Sequence, residues 1–115
     1  MNELSLGQRQ RLFTKLLAKL IDFAYESGYE LTVGEAHRTE EQAAIYAKQG
    51  KGIKRSLHCD RLAIDLNLFK NGVYMESSED HKFLGKYWES LHPMCRWGGW
   101  FGDGNHYSIT YDGRK

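Results

Sequence analysis

Leu62, Ile64, Leu66 and Leu68 alternate strictly with Ala63, Asp65 and Asn67. A period of two predicts a β-strand over residues 62 to 68 with one wholly apolar face. Such a strand must lie beneath another layer. Its opposite face carries an aspartate, a residue that strands disfavour. Asn71-Gly72 follows and predicts a type I′ hairpin turn, with Val73 and Tyr74 opening the return strand. The chain must therefore build an antiparallel sheet around residues 62 to 68 and bury one side of it.

The covering layer is found in helical spacing. Ser5 and Gln8 fit a capping box, and Leu12, Leu16, Leu20, Phe23 and Ala24 place one apolar stripe on a helix over residues 6 to 27, closed by Gly28. Residues 30 to 36 read as a short strand. Thr39 and Gln42 open a second helix that Gly50 ends. Ser77 or Ser78 is expected to cap a third, carrying Phe83, Leu84, Tyr87, Trp88 and Leu91, with Pro93 just past its end. Gly98-Gly99 marks a turn or a close backbone approach, and residues 106 to 111 alternate as a final strand. Helices and antiparallel strands without a βαβ rhythm predict an α+β fold. At 115 residues, one domain spanning residues 1 to 115 is expected.

Charge excludes one class of partner. Sixteen Lys and Arg against fifteen Asp and Glu leave a net charge of +1, too little for a global field that attracts nucleic acid. No run approaches the roughly 18 apolar residues of a membrane span. Residues 1 to 11 are polar and lack the apolar core of a secretory signal, so a cytoplasmic location is expected. Cys59 and Cys95 are then expected to be free thiols. Residues 48 to 55 hold four basic side chains and two glycines, and read as a basic solvated loop.

The chemistry gathers around Asp65. His58 precedes its strand, and His106 opens the last strand after Asp103-Gly104-Asn105. Two imidazoles and one carboxylate are a set that catalytic zinc uses, with a further position left open. An unliganded carboxylate must then accept a proton, and Asp103 lies three residues before His106 across a glycine turn. Arg38, between the first strand and the second helix, supplies a cation. The same three ligands also suit the facial triad of non-haem iron, and Cys59 beside His58 is a further candidate ligand, although an extended segment would turn it away.

These residues fall into recognisable motifs. The run from Ser56 to Asp65 resembles the S-x-H-x-x-G-x-A-x-D motif of zinc D-Ala-D-Ala peptidases of the VanX and VanY type, a family that includes short phage endolysins cutting L-alanyl-D-glutamate bonds. Asp103-Gly104-Asn105-His106 resembles its second motif, and Gly34 to Thr39 with Gln42 its upstream arginine segment. Trp97-Gly98-Gly99 resembles the stretch before the second motif. The resemblance implies a Hedgehog/DD-peptidase-like fold, one zinc ion on His58, Asp65 and His106, and Asp103 as general base and acid. It also implies Arg38 as the substrate-binding arginine, with Gln42 and Ser56 lining the site. Trp97, Trp100 and Tyr107 are candidates for the cleft wall, with core packing the equal alternative. Arg61 departs from the pattern, standing where many members have glycine. A turn that needs positive φ resists arginine, so a differently shaped loop is expected.

The implied activity is zinc-dependent hydrolysis of an amide in the peptide stem of bacterial peptidoglycan, foremost as an L-alanyl-D-glutamate endopeptidase of a phage or prophage. A D-Ala-D-Ala carboxypeptidase and a non-catalytic zinc module that binds wall peptides are the alternatives. The expected partner is the stem peptide, with no nucleic acid and no membrane, and the expected state is a monomer without a separate wall-binding domain. The enzyme would stay in the cytoplasm until a separate membrane-permeabilising protein admits it to the wall.

Overall fold

Local signals produce most of the elements in the computed structural model, which describes residues 4–50 and 56–114. Ser5 Oγ accepts the Gln8 N–H while the Gln8 side chain accepts the Ser5 N–H, and this reciprocal box starts α1, Leu6–Glu26. Its stripe of Phe13, Leu16, Leu20 and Ala24 is buried. Strand β1, Glu30–Val33, and helix α2, Glu40–Lys48, follow, with Thr39 Oγ accepting the Gln42 N–H at 3.1 Å. The alternating run becomes β2, Ala63–Lys70, and turns through Asn71 and Gly72, both at positive φ, into β3, Val73–Met75. Helix α3, Lys82–Leu91, β4, Cys95–Trp97, and β5, His106–Ile109, complete the described elements.

The sheet is antiparallel in the order β1-β2-β5-β4, and β3 extends it by pairing with β2. Leu66 and Leu68 of β2 share one core with the apolar stripes of α1 and α3. Leu20, Leu66, Leu68, Leu84, Trp88 and Ile109 have no exposed surface. Trp88 is the hub: its ring meets Phe13 edge-on, and its Nε1–H donates to the Ser108 carbonyl at 2.9 Å. Phe23 of α1 stacks on Tyr87 of α3 with centroids 3.9 Å apart. The architecture is the expected α+β arrangement of three helices and an antiparallel sheet among the described residues.

Three expectations change in detail. β1 ends at Val33 rather than near residue 36, although Gly34 and Glu35 still exchange backbone hydrogen bonds with Asp65 at 2.8 Å. The serines do not cap α3. Ser77 Oγ accepts the Asp80 N–H in a preceding turn, Ser78 Oγ accepts the Gly104 N–H, and the helix starts after His81. The third change is Arg61, which sits at φ 58°, ψ 37°. The loop keeps the left-handed turn that glycine favours and places an arginine in it, against the expected change of shape. Finally, of the basic stretch, residues 51 to 55 lie outside the described residues.

Gly85 and Gly99 flank the Trp97 indole so closely that a Cβ at either would overlap the ring. Gly99→Ala is therefore expected to cost about 1–3 kcal/mol by overpacking. Arg61→Gly is expected to raise stability by about 0.5–1 kcal/mol, because it relieves the left-handed strain of a side chain that is exposed. Urea titration measures both, and a Gly99→Ala midpoint equal to wild type would contradict the packing argument.

Candidate metal centre and active site

The site is assembled by one pairing. Asp65 of β2 and His106 of β5 are directly opposed across the sheet, so their side chains rise from the same face. His58 reaches the pair from a 3-10 turn, Leu57–Asp60, whose start is capped by Ser56 Oγ accepting the His58 N–H at 3.1 Å. Asp65 Oδ1 lies 3.3 Å from His58 Nε2 and 3.5 Å from His106 Nδ1. One ligand atom from each of the three residues lies within 4.8 Å of the others. Two donors about 2.0–2.1 Å from a tetrahedral ion are about 3.3 Å apart, so the residues fit a zinc ion.

His58 Nδ1 is 3.0 Å from the Ala36 carbonyl. The Nδ1–H donates there, which fixes the ring and leaves Nε2 directed at the cluster. A backbone carbonyl thus orients the ring, while Asn67 Nδ2 donates to Thr32 Oγ1 at 3.2 Å. Cys59 turns away, its Sγ 4.0 Å from the Thr39 carbonyl, and both cysteines are free.

Burial opposes the charged forms of both partners, and their mutual contacts overcome it. Desolvation would raise the Asp65 carboxyl, but hydrogen bonds from His106 and His58 hold it down at about 2. Desolvation would lower His58, but the Asp65 hydrogen bond, the Ala36 carbonyl and the Asp65 charge carry it above its usual 6.5. Asp103 moves the other way from Asp65: partial burial raises its carboxyl, and the Asp65 charge adds to this against the opposing pull of His106. A carboxyl raised in this way is better matched to taking and returning a proton.

The turn that bears Asp103 is held at several points. The Asp103 N–H donates to the Gly98 carbonyl at 2.9 Å, and the Asp103 carbonyl accepts the His106 N–H at 3.1 Å. A Cβ on Gly98 would overlap the Asp103 carbonyl and come 2.9 Å from His106 Cβ. Gly104 is gripped on both sides, its N–H by Ser78 Oγ at 3.0 Å and its carbonyl by Trp97 Nε1–H at 2.7 Å. Ser78 was not foreseen as a support of this turn, because nothing local links it to residue 104.

On the opposite flank, the Arg38 guanidinium grips Glu35 Oε1 through Nε at 2.8 Å and through Nη2, and lies over the Tyr46 ring at 5.1 Å. Glu35 Oε1 is also 3.8 Å from His58 Nδ1. Glu35 was missed in the sequence, where only its three-residue spacing from Arg38 hinted at a pair. Gln42 is half-buried on α2, and Ser56 is buried with its hydroxyl engaged on the His58 turn. The suggestion that Trp97 and Tyr107 wall the cleft is corrected. Trp97 is enclosed between glycines, and Tyr107 is fully buried with its hydroxyl 2.8 Å from His81 Nδ1. Both belong to the core.

No protein-family model matches the chain, and no curated protein sequence is similar to it. A solved structure is similar: the L-Ala D-Glu endopeptidase ChiX of Serratia marcescens, with a TM-score of 0.65, 16% identity, and coverage of 85% of this chain and 77% of that one. At that identity the likeness establishes a common fold.

One zinc ion per chain is expected by metal analysis, and His58→Ala should lose it. Zinc affinity should fall as pH drops through the raised His58 value, because protons then compete for the imidazole. Asp65, ionised down to about 2, adds nothing to that slope in the same range. Competition with a chromophoric chelator measures the dependence. A flat profile between pH 8 and about 6 would contradict binding through His58.

Proposed function

We propose that this chain is a zinc-dependent peptidoglycan peptidase, an L-alanyl-D-glutamate endopeptidase that serves as a phage or prophage endolysin. The reading is carried by the His58–Asp65–His106 cluster with Asp103 beside it, in the fold of an L-Ala D-Glu endopeptidase. Bound zinc supplies Lewis acidity that brings the pKa of water towards about 7. Asp103 accepts the proton as water attacks the scissile carbonyl, and then delivers it to the departing amine. His58 keeps its orientation through Ala36, and Asp65 keeps its charge through both imidazoles. Arg38, directed in advance by Glu35 and Tyr46, attracts a substrate carboxylate and sets the register of the peptide. In an endolysin role, a separate membrane-permeabilising protein would admit the enzyme to its substrate. Among the described residues no helix is long and apolar enough to cross a membrane.

Digestion of purified walls by the zinc-loaded protein should expose new amino termini on glutamate. Release of D-alanine or of the terminal dipeptide would favour the carboxypeptidase reading instead. Asp103→Ala should retain zinc and lose about 10²–10⁴ in rate. Full peptide release by that variant would remove Asp103 from the mechanism, and no new termini from the loaded wild type would remove the peptidase reading.

A further inference from the structure

The turn that carries His58 is only four residues long, Leu57–Asp60, and it ends in the left-handed Arg61. A single 3-10 turn has poor hydrogen-bond geometry and little stability of its own. Three backbone bonds close it: the Cys59 N–H donates to the Ser56 carbonyl at 3.0 Å, the Arg61 N–H to the His58 carbonyl at 3.3 Å and the Leu62 N–H to the Leu57 carbonyl at 3.0 Å. Yet a metal shared with two paired strands requires this turn to keep its imidazole within about 0.5 Å of its place. Arg114 joins the two ends of the turn. Its Nη2 lies 2.7 Å from Asp60 Oδ2, on the last residue, and its Nη1 donates at 3.5 Å to the carbonyl of Ser56, the residue that caps the first. The side chain of Asp60 is 7% exposed and that of Arg114 16%, so the attraction between them is little screened. A planar guanidinium can meet a carboxylate and a carbonyl at once, where an ammonium is a single point charge.

Arg114 is in turn fixed to the chain that leaves the strand of the second histidine. β5 ends at Ile109, and Tyr111 and Arg114 then exchange backbone hydrogen bonds at 3.3 and 2.9 Å around Asp112 and Gly113, both at positive φ. The guanidinium groups of Arg114 and Arg9 lie over the Tyr111 ring at 5.4 and 5.3 Å, and Arg9 Nη1 donates to the Thr110 carbonyl at 2.8 Å. Helix α1 also reaches the turn directly, through Gln10 Nε2 donating to the Asp60 carbonyl at 2.8 Å. We propose that Arg114, acting through Asp60 and the Ser56 carbonyl, is a positioning residue for the metal centre: it clamps the His58 turn to the chain that continues from His106, and so holds the two imidazoles at a fixed separation. The proposal rests on the metal reading above. None of the clamp's contacts is made by a candidate ligand, so its effect on the metal runs entirely through the backbone of the turn.

Two measurements separate positioning from general stability. In the zinc-free protein, Arg114→Ala should speed amide exchange at Cys59, Arg61 and Leu62 roughly tenfold or more, while the Leu66 amide in β2 keeps its rate. Chelator competition should then show zinc affinity lower by roughly 10–100-fold, the range for partners that orient a ligand without touching the metal. Arg114→Lys should recover part of both losses, because its ammonium can pair with Asp60 but lacks the fork that also holds Ser56. Phe23→Leu removes the stack on Tyr87 and no contact of the turn, so it should lower the melting temperature and leave zinc affinity unchanged. Wild-type exchange at the three amides in Arg114→Ala, wild-type zinc affinity in that variant, or an equal loss of affinity in Phe23→Leu would overturn the clamp. Should Arg114→Ala fail to fold, Arg114→Lys carries the same test, and wild-type exchange at the three amides is again the overturning result. A wild type that binds no zinc, while the exchange rates respond as expected, would overturn the metal reading alone.

Discussion

The site depends on one register. β2 and β5 are paired over three residues, Ala63 with Ser108, Ile64 with Tyr107 and Asp65 with His106. Because side chains alternate, a slip of one residue would send His106 to the face now held by Tyr107. The middle pair prevents it. Ile64 and Tyr107 are buried on the helix side, and a slip would put exposed-face residues in their place. Burial of apolar surface on one face thus sets the spacing of the ligands on the other. The cluster needs no stabilisation of its own to be in register. It inherits its geometry from the core and then supplies hydrogen bonds that keep Asp65 ionised despite partial burial.

Close approach by glycine is the second constraint. Gly85 and Gly99 admit the Trp97 ring, and Trp97 in turn holds the Gly104 carbonyl. Gly98 lets the same stretch of chain press on Asp103 and His106. A tryptophan in the core therefore positions the candidate base without approaching it. Its role runs through backbone contacts, so it stays invisible to a search for polar side chains.

Features governed by local periodicity were legible in the sequence. The capping box, the α1 stripe, the β2 alternation and the Asn71-Gly72 turn all rest on neighbours within a few residues. The gathering of His58, Asp65 and His106 into one candidate metal group was legible because a motif and the strand face agreed on Asp65. Tyr107 could have been placed correctly by the same rule, since the residue after His106 on a strand must face the other way. Trp97 could not, because an aromatic beside glycines suits a cleft or a core until the packing of α3 is known. The role of Ser78 depends on a contact from a distant turn. Arg61 shows a limit of another kind: the backbone demand was foreseen, but the surrounding fold imposes it on a residue that costs about 1 kcal/mol there.

The order of the sheet explains why the chemistry divides as it does. Asp65 lies on the central β2. On one side the chain leaving β1 carries Glu35 and Arg38, and on the other the link from β4 to β5 carries Gly98 to Asp103. The candidate ligands Asp65 and His106 thus come from paired strands, where packing restricts movement, while Arg38 and Asp103, to which the proposed function gives the substrate, come from two connections on either side of β2. A scaffold of this form can exchange its substrate contacts without disturbing its ligands.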